Sequence, residues 1–235
     1  MQSTLGEFKE TASQEAFALQ NSKLLKVSLQ QITIQAKLGS MVAYQGDVKF
    51  EHAGSGGVSR LMKKAMTGEG TSLMKIEGSG EVFLGDQAQD IHLIKLENDQ
   101  ITCNGANLLA FDAGIDWDIK REKGVGALSG GLFNMALSGS GWVAIISDGP
   151  PVLLQTGEAA TYADPQAAIT WASSVQTSIK TDVNLKSLVG RGSGETVQMA
   201  FSGPGWVLVQ PSEGRVQAAG GGGGAGGGLL SNLTG

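Results

Sequence analysis

The side chains that usually carry enzyme chemistry are few in this chain and do not fall into a catalytic or metal-binding pattern. A serine hydrolase needs a nucleophile, a base and a group that orients the base, but the two histidines, His52 and His92, lie in no nucleophile-elbow pattern. A structural zinc site needs about four Cys or His ligands, and Cys103 is the single cysteine. We read Cys103 as a small core residue before a turn, with a reactive thiol as the alternative. We therefore predict a protein that is not an enzyme and uses no metal or cofactor.

Three aspartates, Asp112, Asp116 and Asp118, form the sharpest acidic cluster of the chain. Strand alternation places Asp116 and Asp118 on one face, where two carboxylates could share Ca²⁺ or Mg²⁺. The spacing of an EF-hand loop is absent, and Lys120 on the same face offers a cross-strand partner. The sequence favours a solvated strand face and leaves cation binding open.

Two glycine-rich stretches are candidate anion-binding loops. Residues 124–131 lack the Gly-Lys-Ser/Thr of a phosphate loop and lead into a strand, so a helix dipole is missing there. The stretch 54–57 instead precedes a predicted short basic helix, Val58–Met66, whose first N–H groups could hold an anion or a lipid headgroup. The residues of this candidate contact are Gly56, Gly57, Arg60, Lys63 and Lys64.

The elements that position these residues follow a motif that occurs three times. Its copies are Gly78-Ser79-Gly80, Gly139-Ser140-Gly141 and Gly203-Pro204-Gly205. The first glycines are 61 and 64 residues apart (139 − 78 and 203 − 139), which indicates one supersecondary unit used three times. Glycine readily takes the positive φ of a type II turn, so each copy predicts a hairpin turn. Ser140 is then a turn residue and not a nucleophile.

Each motif follows an alternating strand and a variable insert, at 54–70, 122–131 and 181–194. The pattern predicts an all-β fold of three pseudo-repeated antiparallel β-sandwich-like modules, arranged with pseudo-threefold symmetry and carrying short helical inserts. We expect an N-terminal extension over 1–14, a triplicated β domain over 15–212 and a flexible Gly-rich tail over 213–235. The approximate units within that domain are 15–86, 87–148 and 149–212.

Two tryptophans occupy the same register, three residues after the first glycine of the second and third motifs. They are Trp142 and Trp206, and Glu81 replaces them in the first unit. Alternation puts both on the face opposite the apolar valines. The sequence leaves two roles open, packing between sheets and a subunit interface, where aromatic residues are enriched.

Charge and composition limit the kinds of partner and the cellular location that we expect for this protein. The net charge of −5 and a pI of about 5.1 remove the long-range attraction to phosphate backbones, so we expect no nucleic-acid binding. A single cysteine cannot form a disulfide within the chain, and no stretch reads as a secretory signal. No apolar run approaches the roughly 18–20 residues of a membrane span. We predict a cytoplasmic protein, with peripheral membrane contact left open.

Specific segments of the first unit resemble a known family. They are Gly39-Ser40-Met41-Val42-Ala43-Tyr44, Val48-Lys49-Phe50, Gly56-Gly57 before the basic helix, Thr67-Gly68-Glu69-Gly70, and Gly78-Ser79-Gly80-Glu81-Val82. Over roughly residues 15–212 the chain resembles the altered-inheritance-of-mitochondria protein 24 family in its short bacterial and archaeal form. The resemblance implies a fold similar to the tryptophan RNA-binding attenuator proteins. It brings no catalytic residues, and the family's mitochondrial members are linked to inner-membrane organisation and complex assembly.

These observations together predict a non-enzymatic scaffold or assembly protein. We expect it to self-associate as a homo-oligomer and to dock protein partners that the sequence does not identify. The alternative is a binding module for a small ligand, an anionic lipid or RNA. RNA binding does not follow from the fold alone, because unrelated functions share folds.

Overall fold

The computed structural model describes residues 3–30, 32–52, 72–121, 133–181 and 197–213. In these ranges the regular structure is fifteen β-strands and two short 3₁₀ turns, Leu5–Phe8 and Gly105–Asn107, with no α-helix. The prediction of an all-β fold is confirmed. The predicted helical inserts lie outside the described residues, except for Thr181 at the end of a strand.

The strands vary from three to fifteen residues in length. In chain order they are β1 Phe17–Asn21, β2 Leu24–Ser28, β3 Ile34–Lys37, β4 Met41–His52, β5 Leu73–Leu84, β6 Asp90–Asn104, β7 Leu108–Asp112, β8 Asp116–Arg121, β9 Phe133–Ser147, β10 Val152–Thr156, β11 Thr161–Ala163, β12 Ala168–Ala172, β13 Gln176–Thr181, β14 Val197–Ser202 and β15 Gly205–Val209.

Antiparallel pairing joins these strands into two sheets. The larger sheet has twelve strands, in the order β1-β2-β5-β3-β7-β9-β6-β12-β15-β10, with β4 on β5 and β8 on β9. The smaller sheet has the order β11-β14-β13. Most of these pairings join strands that are far apart in the chain.

Three central elements organise the pairing, and we call each a central line: β5, β9, and the successive strands β14 and β15. β5 is flanked by β4 along one edge and by β2 and β3 along the other. β9 is flanked by β6 along one edge and by β7 and β8 along the other. β15 pairs with β10 and β12, while β14 pairs with β11 and β13. Each central line therefore has a neighbour on both edges over most of its length.

The predicted hairpin turn at each Gly-x-Gly motif is wrong. Gly78 and Gly80 lie inside the continuous strand β5, and the second motif likewise lies inside β9. Gly80 has φ +155°, and a Cβ there would lie 2.0 Å from the carbonyl oxygen of Gln45. Glycine is needed because two backbones approach closely, and not because the chain reverses. In the third copy β14 and β15 pair with different strands and do not form a hairpin with each other.

One irregularity of register recurs beside each central strand. It falls where β4, β7 or β12 pairs with the C-terminal half of its central line. The three shifts lie between Met41 and Ala43, between Leu108 and Ala110, and between Ala168 and Thr170. A β-bulge bends its strand and increases the local twist, so the three strands turn at corresponding places.

The apolar core consists of three clusters that follow the central strands. The first holds side chains of β1–β5 and also Ala110, Ala144 and Ile146 from later strands. The second is centred on β6–β9 and includes Ile169 of β12, and the third belongs to β12–β15. Burial of apolar area is therefore shared between successive groups of strands, which stabilises them as one body.

Candidate interaction surface

Two junctions within the sheet show how one group of strands joins the next. At the first, β3 pairs with β7, and Gln35 lies opposite Phe111. At the second, β6 pairs with β12, and Thr102 lies opposite Trp171. Both aromatic residues are buried, because the neighbouring strand and its core cover them.

Tyr44 of β4 occupies the position that Phe111 and Trp171 occupy at these junctions. Each of the three aromatic residues lies opposite a valine of its central strand: Val82 for Tyr44, Val143 for Phe111 and Val207 for Trp171. Tyr44 is 50% exposed, however, whereas Phe111 is 0% exposed. Among the described strands β4 pairs only with β5.

We call residues 41–45 the β4 edge. Besides Tyr44 it exposes the large apolar residues Met41 and Val42. Tyr44 makes an edge-to-face contact with Phe50 of the same strand, with ring centroids 5.2 Å apart. An exposed apolar strand whose backbone groups are paired on one side only is a template for pairing with another strand.

A second apolar edge lies on the smaller sheet, at its outer strand β11. We call Thr161–Ala163 the β11 edge, since β11 pairs only with β14 among the described strands. Tyr162 is 41% exposed there, and Val152 and Leu153 of β10 are exposed as well. The ammonium Nζ of Lys180 lies 2.7 Å from the hydroxyl oxygen of Tyr162 and 4.4 Å from its ring centroid. This contact holds the ring at the edge.

A buried lysine organises the face beside β4. Lys26 of β2 is buried, and its Nζ lies 2.7 Å from Oε1 of Glu81 and 3.1 Å from Oε2 of Glu10. Hydrogen bonding to Glu81 raises the pKa of Lys26, and hydrogen bonding to Lys26 lowers the pKa of Glu10. Lys26 also donates to the carbonyl of Thr11, whose N–H donates to Oε1 of Gln20. These contacts anchor residues 9–11 to β1 and β2.

Glu81 of this cluster takes the register position of Trp142 and Trp206, as the sequence indicated. Both tryptophans are half-buried; Trp142 packs on the first core cluster and Trp206 on the second. The Nζ of Lys95 lies 5.3 Å from the ring centroid of Trp142. These contacts belong to packing within the chain. A subunit interface through the two tryptophans stays a prediction.

The next sequence candidate is the anion or lipid contact beside the predicted basic helix. Gly56, Gly57, Arg60, Lys63 and Lys64 lie outside the described residues.

The three aspartates are separated. Asp112 accepts the N–H of Trp142 and is half-buried, and burial raises its pKa while that N–H opposes the shift. Asp116 and Asp118 are exposed on β8. The described part of the chain contains no group of three or more His, Cys, Asp or Glu side chains that could hold a metal ion.

His92 and Cys103 have structural surroundings. Nε2 of His92 lies 2.7 Å from Oγ of Ser147, which is buried and donates its proton to the carbonyl of Gly149. The hydroxyl proton of Ser147 is therefore already engaged, and burial lowers the pKa of His92. Cys103 is fully buried in the second core cluster, where burial raises its pKa to about 12. The thiol is a core group and not a nucleophile.

Sequence reasoning missed both apolar edges and the lysine cluster. Alternation places Tyr44 on one face of its strand, but nothing in the sequence shows that the edge of this strand lacks a neighbour. One usable signal is composition: the chain has two tyrosines, and they are Tyr44 and Tyr162. Lys26 and Glu10 are far apart in sequence from the carboxylate of Glu81, so only the fold joins them.

The long antiparallel strands and their arrangement in one large and one small sheet define an all-β protein. The family described as mitochondrial biogenesis AIM24 matches residues 17–212. The chain belongs to this family, and the resemblance found in its sequence is confirmed.

Comparison with solved structures supports the fold. An X-ray crystal structure of a Streptococcus pyogenes protein superposes with a TM-score of 0.67 at 21% sequence identity, covering 83% of this chain and 91% of that one. No curated protein matches the chain. Within the described residues there is no helix of the length and apolarity needed to cross a membrane.

Proposed function

We propose that this protein is a non-enzymatic scaffold or assembly protein that self-associates and docks partners through the edges of its sheet. The observation that carries the proposal is the β4 edge, where Met41, Val42 and Tyr44 are exposed on a strand that pairs only with β5 among the described strands. Most other large apolar side chains of the described strands are buried in the three clusters. Large exposed apolar patches on soluble proteins mark interaction sites.

The proposal includes three pseudo-repeated modules within the chain. Three corresponding features support it: a central strand with a Gly-x-Gly, one register shift on the flanking strand, and an aromatic residue opposite a valine. In this scheme β2 and β3 of the first module correspond to β6 of the second and to β10 and β11 of the third. Likewise, β4 of the first module corresponds to β7 and β8 of the second and to β12 and β13 of the third. The modules join by pairing of β3 with β7 and of β6 with β12.

Light scattering over a range of protein concentrations tests this function. We expect a mass above that of the 24.2 kDa chain which grows with concentration. Thermal melting with a small-ligand panel, anionic lipid vesicles and RNA tests the alternative class. A monomer at every concentration, combined with a raised melting temperature for one of these ligands, would replace the scaffold with a binding module. Loss of vesicle or RNA binding in an Arg60, Lys63 and Lys64 charge-neutralised variant would then locate that module.

A further inference from the structure

We propose that the β4 edge of one copy pairs with the β11 edge of a second copy, so that the chain assembles head to tail by joining the larger sheet of one copy to the smaller sheet of the next. The inference rests on the proposed self-association and adds its geometry. The partner is a second copy because the chain already contains two junctions of the required kind.

The interior junctions set the rule for which edges pair. At the first, β3 presents the edge that corresponds to β11, and β7 presents the edge that corresponds to β4. At the second junction, the C-terminal end of β6 presents the edge that corresponds to β11, and β12 presents the edge that corresponds to β4. The third pair of this series, β11 with β4, is not formed within the chain. Both of these strands are described, and among the described strands each has one edge without a partner.

The register of the interior junctions can be transferred to the open edges. β11 pairs with β14 as β3 pairs with β5, which places Tyr162 at the position of Gln35 and Ala163 at that of Ala36. On the other side Tyr44 takes the position of Phe111. The transferred register places Tyr162 opposite Tyr44.

The side chains fit this register. Ala36 lies opposite Ala110 in the first junction, and Cys103 lies opposite Thr170 in the second. The transferred register likewise brings Ala43 opposite Ala163, so small residues meet small residues at all three places. Aromatic pairs across strands stabilise a sheet, and Tyr44 with Tyr162 would form one.

The β4 edge also lacks the protection of solvent-exposed strands. Natural edge strands carry lysine, proline or inward charges that block further pairing, whereas the β4 edge contains no charged residue and no proline between Met41 and Gln45. A contact between two different surfaces is heterologous and generates rings or open filaments, not an isologous dimer. The structure therefore favours a head-to-tail assembly.

Cysteine cross-linking tests the pairing directly. Tyr44→Cys and Tyr162→Cys are made as separate variants, one with a larger affinity tag, then mixed and oxidised mildly. Directly opposite Cα atoms in an antiparallel pair are about 4.5–5.5 Å apart, which a disulfide spans. We expect a disulfide dimer in the mixture and little in either variant alone. The matched control is Tyr44→Cys mixed with Glu158→Cys, which places an exposed thiol outside the paired residues of the β11 edge.

The outcomes separate the competing arrangements. A disulfide in Tyr44→Cys alone would indicate pairing of β4 with β4. A third variant carries both Tyr44→Cys and Tyr162→Cys in one chain, and an internal disulfide in its monomer would indicate closure within one chain. Either result overturns the inference. The absence of any mixed disulfide in a preparation that light scattering shows to be assembled also overturns it, while self-association stands.

A lysine placed in the edge gives an independent measurement. Tyr44→Lys introduces the charge that natural edges use, and Leu38→Lys is the matched control because Leu38 is 51% exposed and lies outside both edges. We expect Tyr44→Lys to raise the dissociation constant at least about tenfold and Leu38→Lys to leave it unchanged. Equal dissociation constants for the two variants would contradict the inference. A wild-type protein that never assembles would refute the proposed function as well.

Discussion

The Nζ atom of Lys26 lies 2.7 Å from Oε1 of Glu81, and the lysine is buried although it stands on a sheet face. At the register position of Glu81 the later strands carry Trp142 and Trp206, which pack on apolar clusters. A charged cluster of Lys26, Glu81 and Glu10 therefore stands where the later strands have an aromatic contact. Glu10 brings the N-terminal segment into contact with this cluster.

Replacing Lys26 should destabilise the fold. Lys26→Met keeps most of the stem but leaves Glu81 and Glu10 side by side without a cation. We expect a loss of about 1–2 kcal/mol in the free energy of unfolding, measured by urea titration. Lys23→Met is the matched control, because the 2.8 Å pair of Lys23 with Asp90 is more exposed and surface pairs contribute roughly 0–1 kcal/mol. Equal losses in both variants would argue against a special role for Lys26.

The anchor of the N-terminal segment should depend on pH. Hydrogen bonding to Lys26 lowers the pKa of Glu10 in the folded protein. A lowered pKa gives stability that is present above the usual value near ~4.3 and is lost as the pH falls through the folded value. Limited trypsin digestion after Lys9 should therefore be faster in Glu10→Gln than in the wild-type protein at neutral pH. Unchanged digestion would indicate that Glu10 does not hold the segment.

A methyl group at Gly80 should disrupt the pairing of β4 with β5. The Cβ of Gly80→Ala would lie 2.0 Å from a backbone oxygen, at φ +155°. We expect a loss of at least about 3 kcal/mol, because neither backbone can move without breaking the pairing. Gly114→Ala is the control, since no atom lies within 4 Å of its added Cβ. Denaturant titration of both variants measures the difference, and a tolerant Gly80 would contradict the close approach described for β5.

The half-buried carboxylate of Asp112 should make stability depend on pH in the opposite direction. Burial raises its folded pKa, so its contribution is present below the usual value near ~3.9 and is lost as the pH rises through the folded pKa. Asp112→Asn removes the charge and keeps an acceptor for the N–H of Trp142. The melting temperature of Asp112→Asn relative to wild type should therefore increase from acidic to neutral pH. The control is Asp116→Asn, in which an exposed carboxylate has no burial to relieve.

Cys103 should not react with thiol reagents while the protein is folded. Its pKa of about 12 and complete burial leave almost no accessible thiolate at pH 8. We expect reaction with a chromogenic disulfide reagent only after guanidinium is added, with one thiol per chain. Rapid labelling of the native protein would show that the second core cluster opens, and it would also invalidate the cysteine cross-linking design.

Much of the fold could be predicted from the sequence. The alternation of polar and apolar residues places Trp117 and Ile119 on the more covered face of β8 and Asp116 and Asp118 on its exposed face, because side chains of a strand point alternately to its two faces. The recurrence of Gly-x-Gly identifies three central strands. The local turn prediction failed because a positive φ serves equally well for a chain reversal and for a close approach of two strands.

The amino-acid sequence alone determined the all-β class, the family, the placement of Cys103 in the core and the equivalence of Trp142, Trp206 and Glu81. These follow from local patterns and from composition. Only the tertiary structure decided that Phe111 is covered and Tyr44 is not, and that Lys26 meets both Glu81 and Glu10. The physical reason is that burial depends on which strand lies beside an edge, and that neighbour is chosen by pairings between residues far apart in the chain.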